Sequence, residues 1–510
     1  MKSINHLITY LRNKYGYKVY VFIAILVYTV ILSTIEIIIY RSFRIFTWDL
    51  GIFNQAFWNT LHGKLLYYTT EEGVYTKNGC FLGAHFSPTI LLALPFYAIY
   101  PAGETLLIIS TFIIAAGALP VYDIAAALLK NEKVATTIGI MYLLHPSLQG
   151  ITLSGFSPES FAVTLFAFIL LYLIKVDLKK LMIALSLGLM THEAAAPVVS
   201  AIGVYGMLHH KSVRKRGFRV SLFVLVISIP YFFFAHYMRL FFGWTGRPSL
   251  WREWALIGAE SASELPIKVI LNPIAALTSL SSDWMAKLLY VVLLFLPVLF
   301  IPLLGLKGLI PAIPYLTISL LSTYRLYYSL EGHYGAFTVP FIFLGFVHGL
   351  IKTREIRYIK KIPIIKLAAL SFLMTTIVSI IMIPTVYSQY QVFNLNEEHN
   401  SVVRDFISRI PQNASILTQS NIFPHVSNRQ NAYTIAPPTW GHQYVRLNRE
   451  MLANLSRMDI QYVLLDFNSE LPYSSSAVLI YAKFIVPNKD RYNLVAAKDG
   501  VVLFVLNKTK

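Results

Sequence analysis

LMIALSLGLMTHEAAAPVVSAIGVYGML, residues 181–208, is apolar at both ends and polar at Thr191-His192-Glu193. Read as one segment it is longer than the roughly 20 residues a membrane span needs; read as two, each half is short. Every later segment changes side of the membrane according to that choice. With the stretch broken at the polar triplet and the run 86–100 laid on the outer surface, segments 1–18, 130–133, 175–180, 211–219, Lys307 and 352–361 all fall inside. Together they hold 20 Lys and Arg against 3 acids, while the long loops 41–104 and 243–284 fall outside and are close to neutral, as the positive-inside rule requires. The broken reading is therefore adopted.

The composition agrees with a chain dissolved in lipid. Of 510 residues, 56% are hydrophobic and 13% charged, about half the charged share of a soluble domain. The net charge of +18 lies in short clusters between apolar runs, so it reads as a set of orientation signals and not as a nucleic-acid surface. One cysteine, Cys80, excludes an intramolecular disulfide and a thiolate metal cage. The run 19–40 is too long for a signal-peptide core and reads as a retained first span. The expected fold is mainly α: a polytopic helical membrane protein of about 11 crossings over residues 1–390, with an outer loop at 41–104 and a cytoplasmic N-terminus. From about 391 to 510 the texture becomes mixed, with an amphipathic helix near 397–410 and strand-like ASILTQ, YVLLDF and VVLFVLN, so a small extracytoplasmic α/β domain is expected there. Its three Asn-x-Ser/Thr triplets, at Asn413, Asn454 and Asn507, suit that side.

Ionisable groups in or beside membrane segments are costly, so each is a candidate for function. On the expected outer face they gather as Asp49 with Arg41 and Arg44, His85 in GAHFSP, His145 in LLHPSLQ, Glu159 in GFSPES, His192-Glu193, and Arg325, Glu331, His333 and Tyr334 in STYRLYYSLEGHYGAF. Each has a structural reading as well. Asp49 would cap a helix beginning at Leu50; His85 and His145 would bond at helix ends; Glu159 would begin a helix after Pro158; Arg325, His333 and Tyr334 would sit in an interface belt. His192-Glu193 is not a zinc-protease signature, because Ala196 stands where HExxH needs its second histidine. No Gly-rich phosphate loop, serine elbow or ATPase motif is present.

The order of these motifs resembles the membrane glycosyltransferases of the GT-C superfold. In detail WDLGIFNQAFWNTLHG, HFSP, HPSLQ, FSPES, THEAAAP, EGHYGAF, NIFPHVSNR and YVLLDF resemble a family of predicted archaeal and bacterial membrane proteins of unassigned function related to that superfold. The resemblance implies a plasma-membrane, cell-envelope enzyme that moves a sugar from a polyprenyl-phosphate donor to an acceptor at the extracytoplasmic face, among membrane lipids and without nucleic acid. It implies Asp49 and Glu159 as catalytic carboxylates, with Asp49, Glu159 and His85 holding a divalent metal such as Mg or Mn. Sugar and phosphate would meet His85, His145, His192, Glu193, Arg325, His333, Tyr334 and Arg41 or Arg44. The chain departs from the superfold in having Asp49 followed by Leu50 where many first loops carry paired acids, which weakens the metal expectation. A transporter or lipid scramblase, with the broken helix as its substrate site, and a non-catalytic membrane scaffold are the alternative classes.

Overall fold

A computed structural model describes residues 16–45, 47–70, 72–211, 215–247, 252–388 and 396–507, with the side chains of 383–388 and 442–443 excepted. Helices dominate it. Among the described residues four are long and apolar enough to cross a membrane, Lys18–Arg41, Gly103–Leu129, Lys215–Phe241 and Ile364–Met382; a pair bent by 76°, Pro273–Ser281 with Trp284–Val298, makes a fifth if it is one span. The remaining apolar runs expected to cross form shorter helices, among them Leu306–Leu320 and Val339–Thr353. Pro297, Pro302, Pro311 and Pro314 break the region after Phe295 into short turns, since proline removes a backbone donor and clashes with the preceding turn.

The break inside the opening stretch is present. One helix ends at Leu189 and the next runs Ala195–His210. The exposed backbone is satisfied locally: Thr191 Oγ1 donates to Gly188 O at 2.7 Å, and the Ala194 N–H donates to His192 Nδ1 at 3.0 Å. Irregular backbone at a membrane protein's core persists only when its polar groups are satisfied in this way.

The C-terminal residues form a five-stranded sheet. The strands are β1 (Ile416–Thr418), β2 (Ala432–Tyr433), β3 (Tyr462–Asp466), β4 (Tyr492–Lys498) and β5 (Val501–Leu506), in the order β2-β1-β3-β5-β4. β1 runs parallel to β2 and β3, whereas β5 is antiparallel to β3 and β4. Asp499 and Gly500, both at positive φ, turn the β4–β5 hairpin, as an Asp-Gly pair is suited to do. The boundary expected at 391 lies outside the described residues.

Helix Glu397–Ser408 is pinned to this sheet by a histidine. His399 Nε2 lies 2.9 Å from Asp466 Oδ2, and Nδ1 lies 2.6 Å from Asp499 Oδ2. Burial pushes the ring's pKa down, but the two carboxylates outweigh it and the net shift is upward. A group whose folded pKa is raised contributes stability at low pH and loses it as pH climbs through the folded value. Protection of the Glu397–Ser408 amides should therefore fall as pH rises through the His399 titration, above its ordinary value near 6.5. Hydrogen exchange at several pH values checks this, with His399→Gln expected to remove that pH dependence.

The C-terminal domain sits directly on the loop after the first helix. Gln55 Nε2 donates toward the carbonyls of Arg429, Gln430 and Ala432 at 3.2–3.3 Å, while its Oε1 accepts from Thr69 N at 3.0 Å. Asn54 Nδ2 donates to Pro424 O at 3.2 Å and to Ser427 Oγ at 2.8 Å. A Cβ on Gly51 would stand 2.9 Å from the Phe423 ring, so the close approach needs glycine. His425 stacks on Tyr40 with ring centroids 4.1 Å apart, and burial lowers its pKa to about 3, so it docks as a neutral ring. Gln55→Leu keeps the volume and strands these partners, each costing about 1–3 kcal/mol when buried and unmet. Limited proteolysis should then cut the 420–437 segment faster than in the wild type.

Candidate functional site

Between the helices and the C-terminal domain lies a cavity of about 1290 Å³, lined by residues from 45 to 473. Asp49, His85, Glu159, His192, Glu193, His333 and Tyr334 all line it. These come from five separate segments: the loop after the first helix, the stretch after the short helix Phe81–Ala84 that carries His85, the start of helix Glu159–Lys175, the break at 190–194 and the short turn His333–Phe337.

Asp49 is held in an unusual backbone conformation. Trp48 is extended (φ −68°, ψ 129°), and Asp49 takes φ +79°, ψ −100°, a region sparsely allowed to any side chain. The strain is fixed from both sides. Thr47 donates through N and Oγ1 to Ser420 at 3.2 and 2.9 Å, Gly51 lies against Phe423, and Trp48 packs edge-on against Trp440 at 5.1 Å. Residues kept in such regions by their surroundings concentrate at functional sites. The helix expected to begin at Leu50 is regular only from Ile52, with Gly51 at the cap position. Phe53 and Phe57 are packed inside, because the C-terminal domain and the chain's own core cover that helix.

His333 faces Asp49. Its Nδ1 is buried without a hydrogen-bond partner among the described residues and stands 3.9 Å from Asp49 Oδ1, too far for a direct bond. That gap is the size a hydroxyl or water bridges. His333 also lies near Glu159, so the two carboxylates share one imidazole neighbour. Glu159 Oε1 lies 3.8 Å from His192 Nε2.

Deeper in the turn, Glu193 is the hub of a network. Its Oε1 meets His85 Nδ1 at 3.0 Å and Arg239 Nη1 at 3.2 Å, and its Oε2 accepts the Phe86 N–H at 3.2 Å. Arg239 in turn stacks over Trp244, 4.2 Å from the ring centroid. His85, His192 and Glu193 offer donor atoms within 4.8 Å of one another, which is metal-ligand spacing. His192 and Glu193 are already engaged, while His85 keeps Nε2 without a bond among the described residues. His192 Nδ1 accepts a backbone N–H, which leaves the hydrogen on Nε2, and both Glu193 oxygens serve cationic or N–H partners. Asp49 belongs to the His333 pair and not to this group. The donor set does not fit a resident divalent ion, because metal ligation needs deprotonated, available lone pairs.

Four candidates from the sequence are placed elsewhere. His145 is fully buried, with Nε2 3.1 Å from Leu294 O and its ring against Phe343. Arg41 pairs with Glu104 at 3.3 Å and Arg44 with Glu470 at 3.1 Å. Arg325 does not line the cavity. The cations that do are Arg239 and Arg247, with His236 beside them. Arg239 and His236 close an otherwise apolar helix and read in sequence as its flank; Trp440 and Asn448 reach the cavity from the outer domain, where no local pattern marks them. Tyr327 stacks on Tyr334 at 4.2 Å and Tyr315 on Phe337 at 4.3 Å, giving one wall an aromatic face.

The family described as predicted membrane protein (DUF2079) matches residues 40–503 of the chain. Among solved structures, ArnT from Cupriavidus metallidurans bound to undecaprenyl phosphate is similar over 93% of this chain and 97% of that one, with a TM-score of 0.50 at 10% identity. The apo form of the same ArnT has the same coverage and identity with a TM-score of 0.48. No curated protein matches the chain in sequence. The likeness to ArnT is one of fold, in agreement with the GT-C-type architecture.

Proposed function

We propose, for a chain that belongs to the DUF2079 family of predicted membrane proteins, that the cavity transfers a sugar from a polyprenyl-phosphate donor to a hydroxyl acceptor. The observation that carries this reading is the Asp49–His333 gap: a strained carboxylate and a buried, unpartnered imidazole nitrogen 3.9 Å apart, opening on a cavity with aromatic and apolar walls. The ArnT-like fold supports it, since that ArnT holds undecaprenyl phosphate.

In this reaction the acceptor hydroxyl sits between Asp49 and His333. Asp49 takes its proton as the oxygen attacks the anomeric carbon; the bond from that carbon to the phosphate oxygen breaks, and its electron pair leaves with the lipid phosphate. A carboxylate within hydrogen-bond reach of the attacking hydroxyl is suited to this role. Glu159, beside His192, orients the sugar, and the stacked tyrosines supply a flat face for the ring. Positive charge for the departing phosphate comes from the protein's own cations.

The engaged donors of His192 and Glu193 lead to a direct expectation. Turnover by the purified protein should be unchanged by EDTA and unchanged on adding Mg or Mn. The reading is tested with purified protein and a panel of polyprenyl-phosphate sugars, scoring release of lipid phosphate; a complete lack of release across donors that bind the cavity would count against it.

A further inference from the structure

The C-terminal domain gives the cavity an end of its own. Helix His442–Leu455 lines it with Tyr444, Leu447, Asn448 and Met451, spaced as one face of the helix. Trp440 stands just before that helix, on a turn that holds Pro437 and Pro438 and is stiffened by them, because proline fixes its own φ. Its indole meets Trp48 edge-on at 5.1 Å and Tyr444 edge-on at 5.7 Å, so the ring plane is held while Trp48 and Trp440 both stay partly exposed. Trp48 is the chain neighbour of Asp49. The aromatic group therefore begins beside the proposed base.

The sheet topology points to the same end. The parallel strands lie in the order β2-β1-β3, so the chain passes from β1 to one side of it and then crosses to the other. In open α/β sheets a ligand lies outside the carboxyl ends of the strands at such a reversal. Here Ser420, just after β1, bonds Thr47, while Ala436 and Trp440 after β2, and Pro472 and Tyr473 after β3, line the cavity.

The chemistry of that end is neutral. Among the described residues the domain gives the cavity lining no charged side chain. Asn448 is fully buried; its Nδ2 donates to Ala436 O at 2.7 Å, which fixes the amide's orientation, and its Oδ1 has no partner among the described residues. A buried acceptor left unmet costs about 1–3 kcal/mol, and a ligand hydroxyl removes that cost. Aromatic faces beside a neutral acceptor match a sugar ring, which has an apolar C–H face and hydroxyls around its edge. An ionised ligand would find no opposite charge at this wall.

We infer that the C-terminal domain is an acceptor-binding module for a neutral carbohydrate: a sugar ring lies against Trp440, gives one hydroxyl to Asn448 Oδ1, and at its Trp48 end presents another to Asp49. The last contact rests on the proposed reaction; the binding does not.

The test uses full-length protein in nanodiscs, with the neutral trisaccharides maltotriose, cellotriose, mannotriose and chitotriose as probes, read by saturation-transfer NMR. Wild-type protein should bind at least one of them, and the bound sugar should protect Trp48 and Trp440 from hydroxyl-radical oxidation, a readout that needs no variant. Trp440→Leu, which removes the flat face, should weaken that binding about tenfold, the scale of one aromatic contact, and Trp440→Phe should restore most of it. The tripeptide Ala-Ser-Ala should not bind. Binding of no trisaccharide overturns the assignment, and so does binding of the tripeptide in their place, which would make the acceptor a polypeptide. A bound sugar that leaves both indoles unprotected, or that binds Trp440→Leu as tightly as the wild type, overturns the site. Asp49→Asn keeps the two ideas apart: sugar binding retained in that variant supports the module whether or not transfer survives, and transfer that survives contradicts the proposed base.

Discussion

Asp49→Asn should lower transfer by about 10²–10⁴-fold, the range a positioned general base contributes, at unchanged protein level. The substitution is chosen for the backbone as much as for the charge. Asn is among the few residues that tolerate positive φ, so the turn at φ +79° and its anchors to Ser420 and Phe423 persist while the proton acceptor is removed. Asp49→Gly adds a second reading of the same position. Glycine relieves a conformation that costs about 1–3 kcal/mol, so this variant should melt at a higher temperature than the wild type and be as inactive as Asn. A stabilised, inactive protein is the signature of strain kept for function; a destabilised one would assign Asp49 a structural role. Measurement of melting temperature and turnover on the same two preparations decides between them.

Gly150→Ala should be the most damaging single methyl in the chain. A Cβ there would overlap the Leu330 carbonyl oxygen, which belongs to the turn leading to His333. Backbone cannot swing aside as a flexible side chain does, so the cost falls at or beyond the upper end of overpacking, about 3 kcal/mol. The same displacement moves His333 away from Asp49, and a shift of about 1 Å in a reacting group costs on the order of a hundredfold in rate. Gly332→Ala is the matched control. It has φ 91° and ψ 170° but no atom within 4 Å of its added Cβ, so it should cost about 1–3 kcal/mol of backbone strain without a packing clash. Melting curves and turnover for the pair separate packing from conformation.

How much of this was legible beforehand depends on where each signal lies. The break at 190–194 could be read because polar residues interrupt an apolar run and the charge count on either side permits one answer. Asp49, His85, Glu159, His192, Glu193 and His333 stand out for the same reason: an ionisable group next to a span is conspicuous. The cations expected from the sequence do not line the cavity. Arg41, Arg44 and Arg325 sit in loops, where function is usually sought, and the first two turn out to pair with Glu104 and Glu470. Arg239 and His236 were hidden as the ordinary polar end of a helix.

The other hidden part was the docking of the outer domain. Asn54 and Gln55 are polar in the middle of an aromatic stretch, and nothing within that stretch says why. Their partners lie about 370 residues further along the chain, at Pro424 to Ala432. Seen together, the stretch after the first helix has two faces. Thr47, Gly51, Asn54 and Gln55 bind the outer domain, and Asp49 turns toward the cavity, so the domain's weight on the loop is what holds the carboxylate in place.

The central claim is that the sugar–phosphate bond breaks here. Proteoliposomes carrying a polyprenyl-phosphate donor labelled in both sugar and lipid test it most directly. Wild-type protein should release free lipid phosphate in step with a glycosylated acceptor, and Asp49→Asn should release neither. Recovery of the doubly labelled donor intact in the opposite leaflet, at equal rates in both proteins, would contradict the account and identify a lipid transporter.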